Sequence, residues 1–196
     1  MTTPPLANYL IAQHPTLPPF NASMYEFIMA GNSVMLRSVR EGLTVIAPFT
    51  NCIIPGLAFV SPQFHLQYPK VPETLLQQIL NLSQNAAPKE ILFHLSWQNF
   101  CWQLTVPLQT RDFLSVTRWE SSSNILIEIH SHHIMEASFS QIDNEEESGF
   151  KIYGVLGTIF TQPTLRLRIG IYHQIFWEIP IDWVFNLPPQ ISDAVF

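Results

Sequence analysis

The chain has 196 residues, 47% of them hydrophobic and only 12% charged, with a formal net charge of −6. Such a composition excludes a disordered chain and is long enough for one good core, or for one catalytic domain with a smaller companion. The acid excess excludes nucleic acid as the main partner, because phosphate binding relies on clustered Lys and Arg, and no apolar run approaches the ~18 residues of a membrane span.

The N-terminus, Met1-Thr2-Thr3-Pro4-Pro5, has no basic segment ahead of an apolar one, so no secretory signal is expected and a cytoplasmic location is. Ten of the 16 prolines lie at or before Pro72. The first ~20 residues read as an extended arm. Met24 to Ala30 and Ser33 to Val39 read as strands around a Gly31-Asn32 turn, and Arg40-Glu41-Gly42 turns into Leu43-Thr44-Val45-Ile46. Residues 1–68 are thus expected to be a β-rich N-terminal region with an extended proline-rich arm, and Pro62 to Pro72 to connect it onward. Cys52 and Cys101 lie in apolar segments outside any C-x-x-C pair and are expected as buried free thiols.

Residues 69–196 form the second expected domain. From Pro72, placed at the first helical position, helical spacing puts Leu75, Leu76, Ile79 and Leu82 on one face. Pro88-Lys89-Glu90-Ile91-Leu92-Phe93 is a turn running into a strand. Asn124 to Ile129 is apolar and β-branched, a buried strand. Phe150 to Gly157 follows. Leu165, Leu167, Ile169 and Ile171 then face one side of a strand, with Thr164, Arg166 and Arg168 on the other. Gln174 to Ile179 is a further strand, and Pro188-Pro189 ends the ordered part. Helices on an antiparallel or mixed sheet make an α+β domain.

The chemistry concentrates in His130-Ser131-His132, then Ser140, then Asp143. Residues i and i+2 of a strand share a face, so His130 and His132 project together while Ser131 and His133 point away. Ser140 to Asp143 reads as the first turn of a helix. Two imidazoles and a carboxylate are three ligands for one zinc ion, and catalytic zinc sites keep three protein ligands with an open fourth position. Taken alone, Ser140 and Asp143 read first as a helix cap and a dipole-favoured acid, and the two histidines could be surface residues at a strand end; together with a matching glutamate they read as one site. Among the other acids, Glu73 falls in a first helical turn, Glu26 and Glu41 in the N-terminal region and Glu120 in a loop, while Glu128 alternates away from the core side. Glu145-Glu146-Glu147 reads as a solvated helix face. His94 and His173 read as ordinary sheet histidines, and Trp97, Phe100, Trp102, Phe176 and Trp177 as core or sheet surface. No G-x-S-x-G elbow supports a serine hydrolase.

The H-x-H, seven residues, Ser, two residues, Asp pattern resembles the JAMM motif of the JAB/MPN metalloprotease family. The resemblance implies a JAB/MPN-like (cytidine-deaminase-like) mixed sheet flanked by helices. It also implies one Zn2+ per chain held by His130, His132 and Asp143, with Ser140 stabilising the transition state. Glu90, two residues after Pro88 and 40 before His130 (room for two intervening strands), matches the family's upstream general base. The sequence departs from the family at His133 and Phe139, where many members carry proline, and at Ile91-Leu92-Phe93-His94-Leu95, where glycines are usual. Phe150 to Gly157 and Met29-Ala30-Gly31-Asn32 further resemble JAB-domain proteins of the PRTRC cassette, a bacterial mobile-element gene set that includes a ThiF-like, E1-related protein. The implied activity is hydrolysis of an amide or isopeptide bond at the tail of a ubiquitin-like protein or its conjugate, with a ThiF/E1-like partner. A catalytically silent JAB-type scaffold and a zinc hydrolase of a small-molecule amide are the competing expectations.

Overall fold

Period-two alternation of apolar and polar residues lays out a five-stranded sheet, a seven-stranded sheet and a two-stranded piece along the chain. The computed structural model describes residues 3–111, 116–118 and 124–195, so Glu120 lies outside the described residues. Two units divide it, Met1–Gln67 and Tyr68–Phe196.

In the first unit, β1 (Ala7–Ile11), β2 (Tyr25–Ala30), β3 (Ser33–Arg40), β4 (Leu43–Thr50) and β5 (Gln63–Leu66) are neighbours in sequence order. β1 runs parallel to β2, and the other pairs are antiparallel. The expected extended arm therefore contains a strand, and the expected Pro62–Pro72 connector contains β5. Both corrections have one cause. The prolines flank these short segments without interrupting them, and Leu10 of β1 packs on the core of Ile28, Ala30, Met35, Ile46 and Val60. The buried Glu26 pairs with Arg37 and accepts a bond from the Asn21 backbone N–H, while Arg37 donates to the Pro18 carbonyl. That pair ties the proline-rich segment to the sheet.

The second unit runs α1 (Glu73–Ala86), β6 (Leu92–Gln98), β7 (Cys101–Thr105), β8 (Gln109–Arg111), β9 (Val116–Arg118), β10 (Ile125–Ser131), α2 (Gln141–Glu146), β11 (Phe150–Gly157), β12 (Thr164–Ile171), β13 (Ile175–Ile179) and β14 (Ser192–Asp193). Its main sheet has the order β13-β12-β11-β10-β6-β7, with β14 paired to β12 and β8–β9 forming a separate two-stranded piece. β10 and β11 are parallel while their other neighbours on this path are antiparallel, so the sheet is mixed. This is a mixed α+β fold with a β-sheet core flanked by helices.

Several local expectations change. Pro72 is the N-cap of α1, one position earlier than expected. The buried stripe of α1 is Leu76, Ile79, Leu80 and Ser83, at i, i+3, i+4 and i+7, with Leu75 and Leu82 only half-buried. Ser83 tolerates burial because its hydroxyl donates to the Ile79 carbonyl, 2.8 Å away. β14 continues the ordered chain beyond Pro188-Pro189. Besides β6 and β7, β8 and β9 separate Glu90 from His130, where two strands were expected. Asn99 and Phe100 both take left-handed φ at the β6–β7 turn, which leaves Phe100 exposed, and His173 sits likewise at the β12–β13 turn. Cys52 is half-buried and Cys101 exposed, both as free thiols. Among the described residues no helix is long and apolar enough to cross a membrane.

The register of the central strands sorts residues onto two faces. Phe93, Leu95, Ile127, Ile129, Ile152, Leu165, Leu167 and Ile169 share one face and are buried. The opposite face carries His94, Glu128, His130, Lys151, Tyr153, Arg166 and Arg168. An apolar face beside a charged but largely buried one demands a polar network on the second, and that network surrounds the candidate site.

Candidate metal centre

β10 ends at the point where its alternation carries His130, and beyond it His132, to the charged face. The His132 N–H extends the ladder by donating to the Leu156 carbonyl (2.7 Å), and the two imidazole centroids lie 5.0 Å apart. The loop that follows is fastened to the end of β11: Ile159 N–H donates to the His133 carbonyl and Thr158 N–H to the Met135 carbonyl, at 2.9 and 2.8 Å. Only glycine fits at position 157 beneath that loop. A Cβ there would stand 2.3 Å from the Ala137 nitrogen and 2.5 Å from the Glu136 carbonyl carbon.

The loop delivers α2, opened by a reciprocal capping box. Ser140 Oγ accepts from the Asp143 N–H (3.2 Å), and Asp143 Oδ2 accepts from the Ser140 N–H (2.6 Å). The cap explains the three-residue step and has a functional consequence. It fixes one carboxylate oxygen and leaves Oδ1 facing His130 Nε2 at 3.5 Å. The Ser140 hydroxyl accepts in this bond, so its own proton is left to donate elsewhere.

One ligand atom each from His130, His132 and Asp143 lie within 4.8 Å of one another. Tetrahedral zinc with bonds of about 2.0–2.2 Å holds its ligand atoms about 3.4 Å apart, close to the His130–Asp143 separation. His132 Nδ1 meets the Glu136 carbonyl at 3.2 Å. That contact puts the ring proton on Nδ1 and turns the Nε2 lone pair inward, as in histidines that bind a metal through one nitrogen and donate to a carbonyl through the other. His130 Nε2 is buried with no hydrogen-bond partner. Burial lowers the His130 pKa to about 4, with Asp143 opposing and His132 and Arg168 assisting, so the ring is neutral at neutral pH. The donor set therefore fits a divalent metal: the cluster could hold one without displacing any proton from His130.

Glu90 stands at the edge of this cluster. Its Oε1 is 3.6 Å from His132 Nε2, buried, and without a hydrogen-bond partner. Burial first, and the charge of Asp143 second, raise its pKa to about 7. The residues pointing away from the site hold it there. Ser131 Oγ accepts from the Ile91 N–H, Ser131 N–H donates to the Ile91 carbonyl, and His133 Nε2 contacts the Lys89 carbonyl at 2.7 Å. The backbone on both sides of Glu90 is thus clamped to β10 and the loop after it. His133, expected only to be a non-ligand, is part of this clamp.

Other acids take different places. Glu73 is exposed in the first turn of α1, Glu41 is exposed and Glu26 is paired in the first unit. Glu128 is buried with Lys151 as its partner and His94 Nε2 3.8 Å away. The solvated Glu145-Glu146-Glu147 face requires correction at its last member. Glu147 is buried and ion-paired with Arg168. Burial raises its pKa to about 8 against the pull of Arg168, and burial lowers that of Arg168. Spacing alone did not reveal Arg168 or Asn144 as parts of the site's surroundings. The available signal was an arginine alternating with core residues in a strand, which burial obliges to find partners.

The sequence matches no family profile and no curated protein. Among solved structures the chain is similar to a JAB1/MPN domain protein from Archaeoglobus fulgidus, with 16% sequence identity and a TM-score of 0.38. The match covers 64% of this chain and 98% of that one.

Proposed function

We propose that this chain is a zinc-dependent hydrolase of an amide bond, with His130, His132 and Asp143 as metal ligands, Glu90 as general base and Ser140 as oxyanion donor. The observation that carries this reading is a buried carboxylate oxygen without a partner, Glu90 Oε1, 3.6 Å from His132 Nε2 at the edge of a His-His-Asp cluster. A structural carboxylate would be hydrogen-bonded. A general base instead needs a free oxygen and a pKa near the working pH, and Glu90 has both.

When bound, the metal would supply Lewis acidity, bringing the pKa of a ligated water toward ~7. Glu90 takes the water's proton as the water oxygen attacks the amide carbon. Ser140 donates its hydroxyl hydrogen to the carbonyl oxygen as negative charge develops, worth roughly 3 kcal/mol where one oxyanion donor is lost. The C–N bond then breaks, and Glu90 passes the proton to the leaving amine. By resemblance of the motif to JAMM proteases, the amide belongs to the tail of a ubiquitin-like protein or its conjugate, with a ThiF-like enzyme as partner.

Glu90→Ala tests the assignment. It should keep zinc at the wild-type stoichiometry while hydrolysis of a ubiquitin-like fusion, followed by mass spectrometry, falls at least ~100-fold. A variant that loses zinc, or keeps full activity, contradicts the role.

A further inference from the structure

We infer that Arg168 is a positioning residue of the metal centre: from β12 it holds the Phe139–Glu147 segment so that Asp143 reaches His130. This rests on the proposed metal site.

Arg168 is buried, and its Cζ lies 3.7 Å from the Phe139 ring centroid and 3.9 Å from that of Phe176. Two rings this close to one carbon cannot share a side, so the guanidinium is sandwiched between them, a geometry suited to its planar π system. In its own plane, Nε donates to Glu147 Oε2 at 2.8 Å and Nη1 to Asn144 Oδ1 at 2.7 Å.

These partners bracket the ligand. Phe139 immediately precedes the cap residue Ser140, Asn144 immediately follows Asp143, and Glu147 is the C-cap of α2. Phe139 also lies edge-on to His130, with centroids 6.4 Å apart. α2 has six residues and none of them is buried. A single turn and a half gains little from its own hydrogen bonds, so its placement depends on outside anchors. Among the described residues, no other cation stacks on Phe139 or bonds Asn144. His173 Nδ1, exposed, meets only the Asn144 carbonyl (3.2 Å). Arg166 lies on the same strand and face but pairs with Glu178 of β13, and so serves as the internal control.

The test uses full-length protein and Co2+ as a spectroscopic probe for Zn2+. Wild type should bind one Co2+ with the absorption of a tetrahedral site. Arg168→Gln should lose about 10–100-fold in Co2+ affinity, the usual cost of removing an outer partner of a ligand, with an altered d–d band. Arg168→Lys should not rescue either, because an ammonium supplies neither the plane nor the fork. Arg166→Gln should match wild type. If Arg168→Gln does not fold, Phe139→Leu and Asn144→Ala remove single contacts from outside the sheet and should shift affinity and band in the same direction. Wild-type affinity and spectrum in a folded Arg168→Gln, or in both substitute variants, overturn the inference while leaving the metal site intact. Failure of wild type to bind Co2+ or Zn2+ overturns the metal reading itself, and this inference with it.

Discussion

At the level of single residues, the site concentrates groups that the fold leaves at a disadvantage. Glu90 is a buried acid with an unbonded oxygen and a pKa raised to about 7 from an ordinary 4.5. Between those two values the folded state binds the proton more tightly than the unfolded chain. Stability from this group is therefore present below about 4.5, falls as pH rises through about 7, and stays lost above. At 1.36 kcal/mol per unit the full loss is about 3 kcal/mol. Glu90→Gln, which never ionises, should equal wild type in urea denaturation of chelated protein near pH 4 and exceed it by up to about 3 kcal/mol at pH 8. His130, shifted the opposite way, is common to both proteins and cancels. A stability difference that does not change with pH would contradict the burial of Glu90.

At the scale of elements, alternation and spacing foretold the local structure that carries the candidate residues. Two histidines at i and i+2 on a strand share a face, and a Ser-x-x-Asp step opens a helix; both patterns are local, and both describe the structure. What spacing cannot carry is the set of contacts that hold these pieces against each other. The His133 contact to the Lys89 carbonyl spans 44 residues, and Arg168 reaches Asn144 across 24. Both depend on strand order, which no local pattern encodes. They also give His133 and Phe139 a place: each takes part in a long-range tie, His133 to the Lys89 carbonyl and Phe139 under the Arg168 guanidinium. Gly157 belongs to the same scale. Its missing Cβ admits the backbone of residues 135–137. Because the obstructing atoms are backbone, Gly157→Ala must push the loop outward, at a cost of roughly 1–3 kcal/mol. Thermal denaturation should register that loss, and zinc affinity should fall with it. An alanine variant of unchanged stability and affinity would mean the loop does not rest on Gly157.

At the scale of the whole molecule, composition foretold a folded chain, and the strand patterns around Gly31-Asn32 and Arg40-Glu41-Gly42 foretold β2, β3 and β4. On the charged face of the main sheet, Lys151 pairs with Glu128 and Arg168 with Glu147 in the interior, while Arg166 and Glu178 pair nearer the surface. The short strands β1, β5 and β14 were not legible, because proline-flanked segments of two to five residues carry too little alternation to distinguish from loop. The claim that joins all three scales is that the fold presents His130, His132 and Asp143 to one metal ion. Zinc-edge anomalous diffraction from crystals of the zinc-loaded protein measures this directly. The account predicts one anomalous peak per chain within about 2.0–2.2 Å of His130 Nε2, His132 Nε2 and Asp143 Oδ1. No peak at this site, or zinc held by other residues, would contradict it.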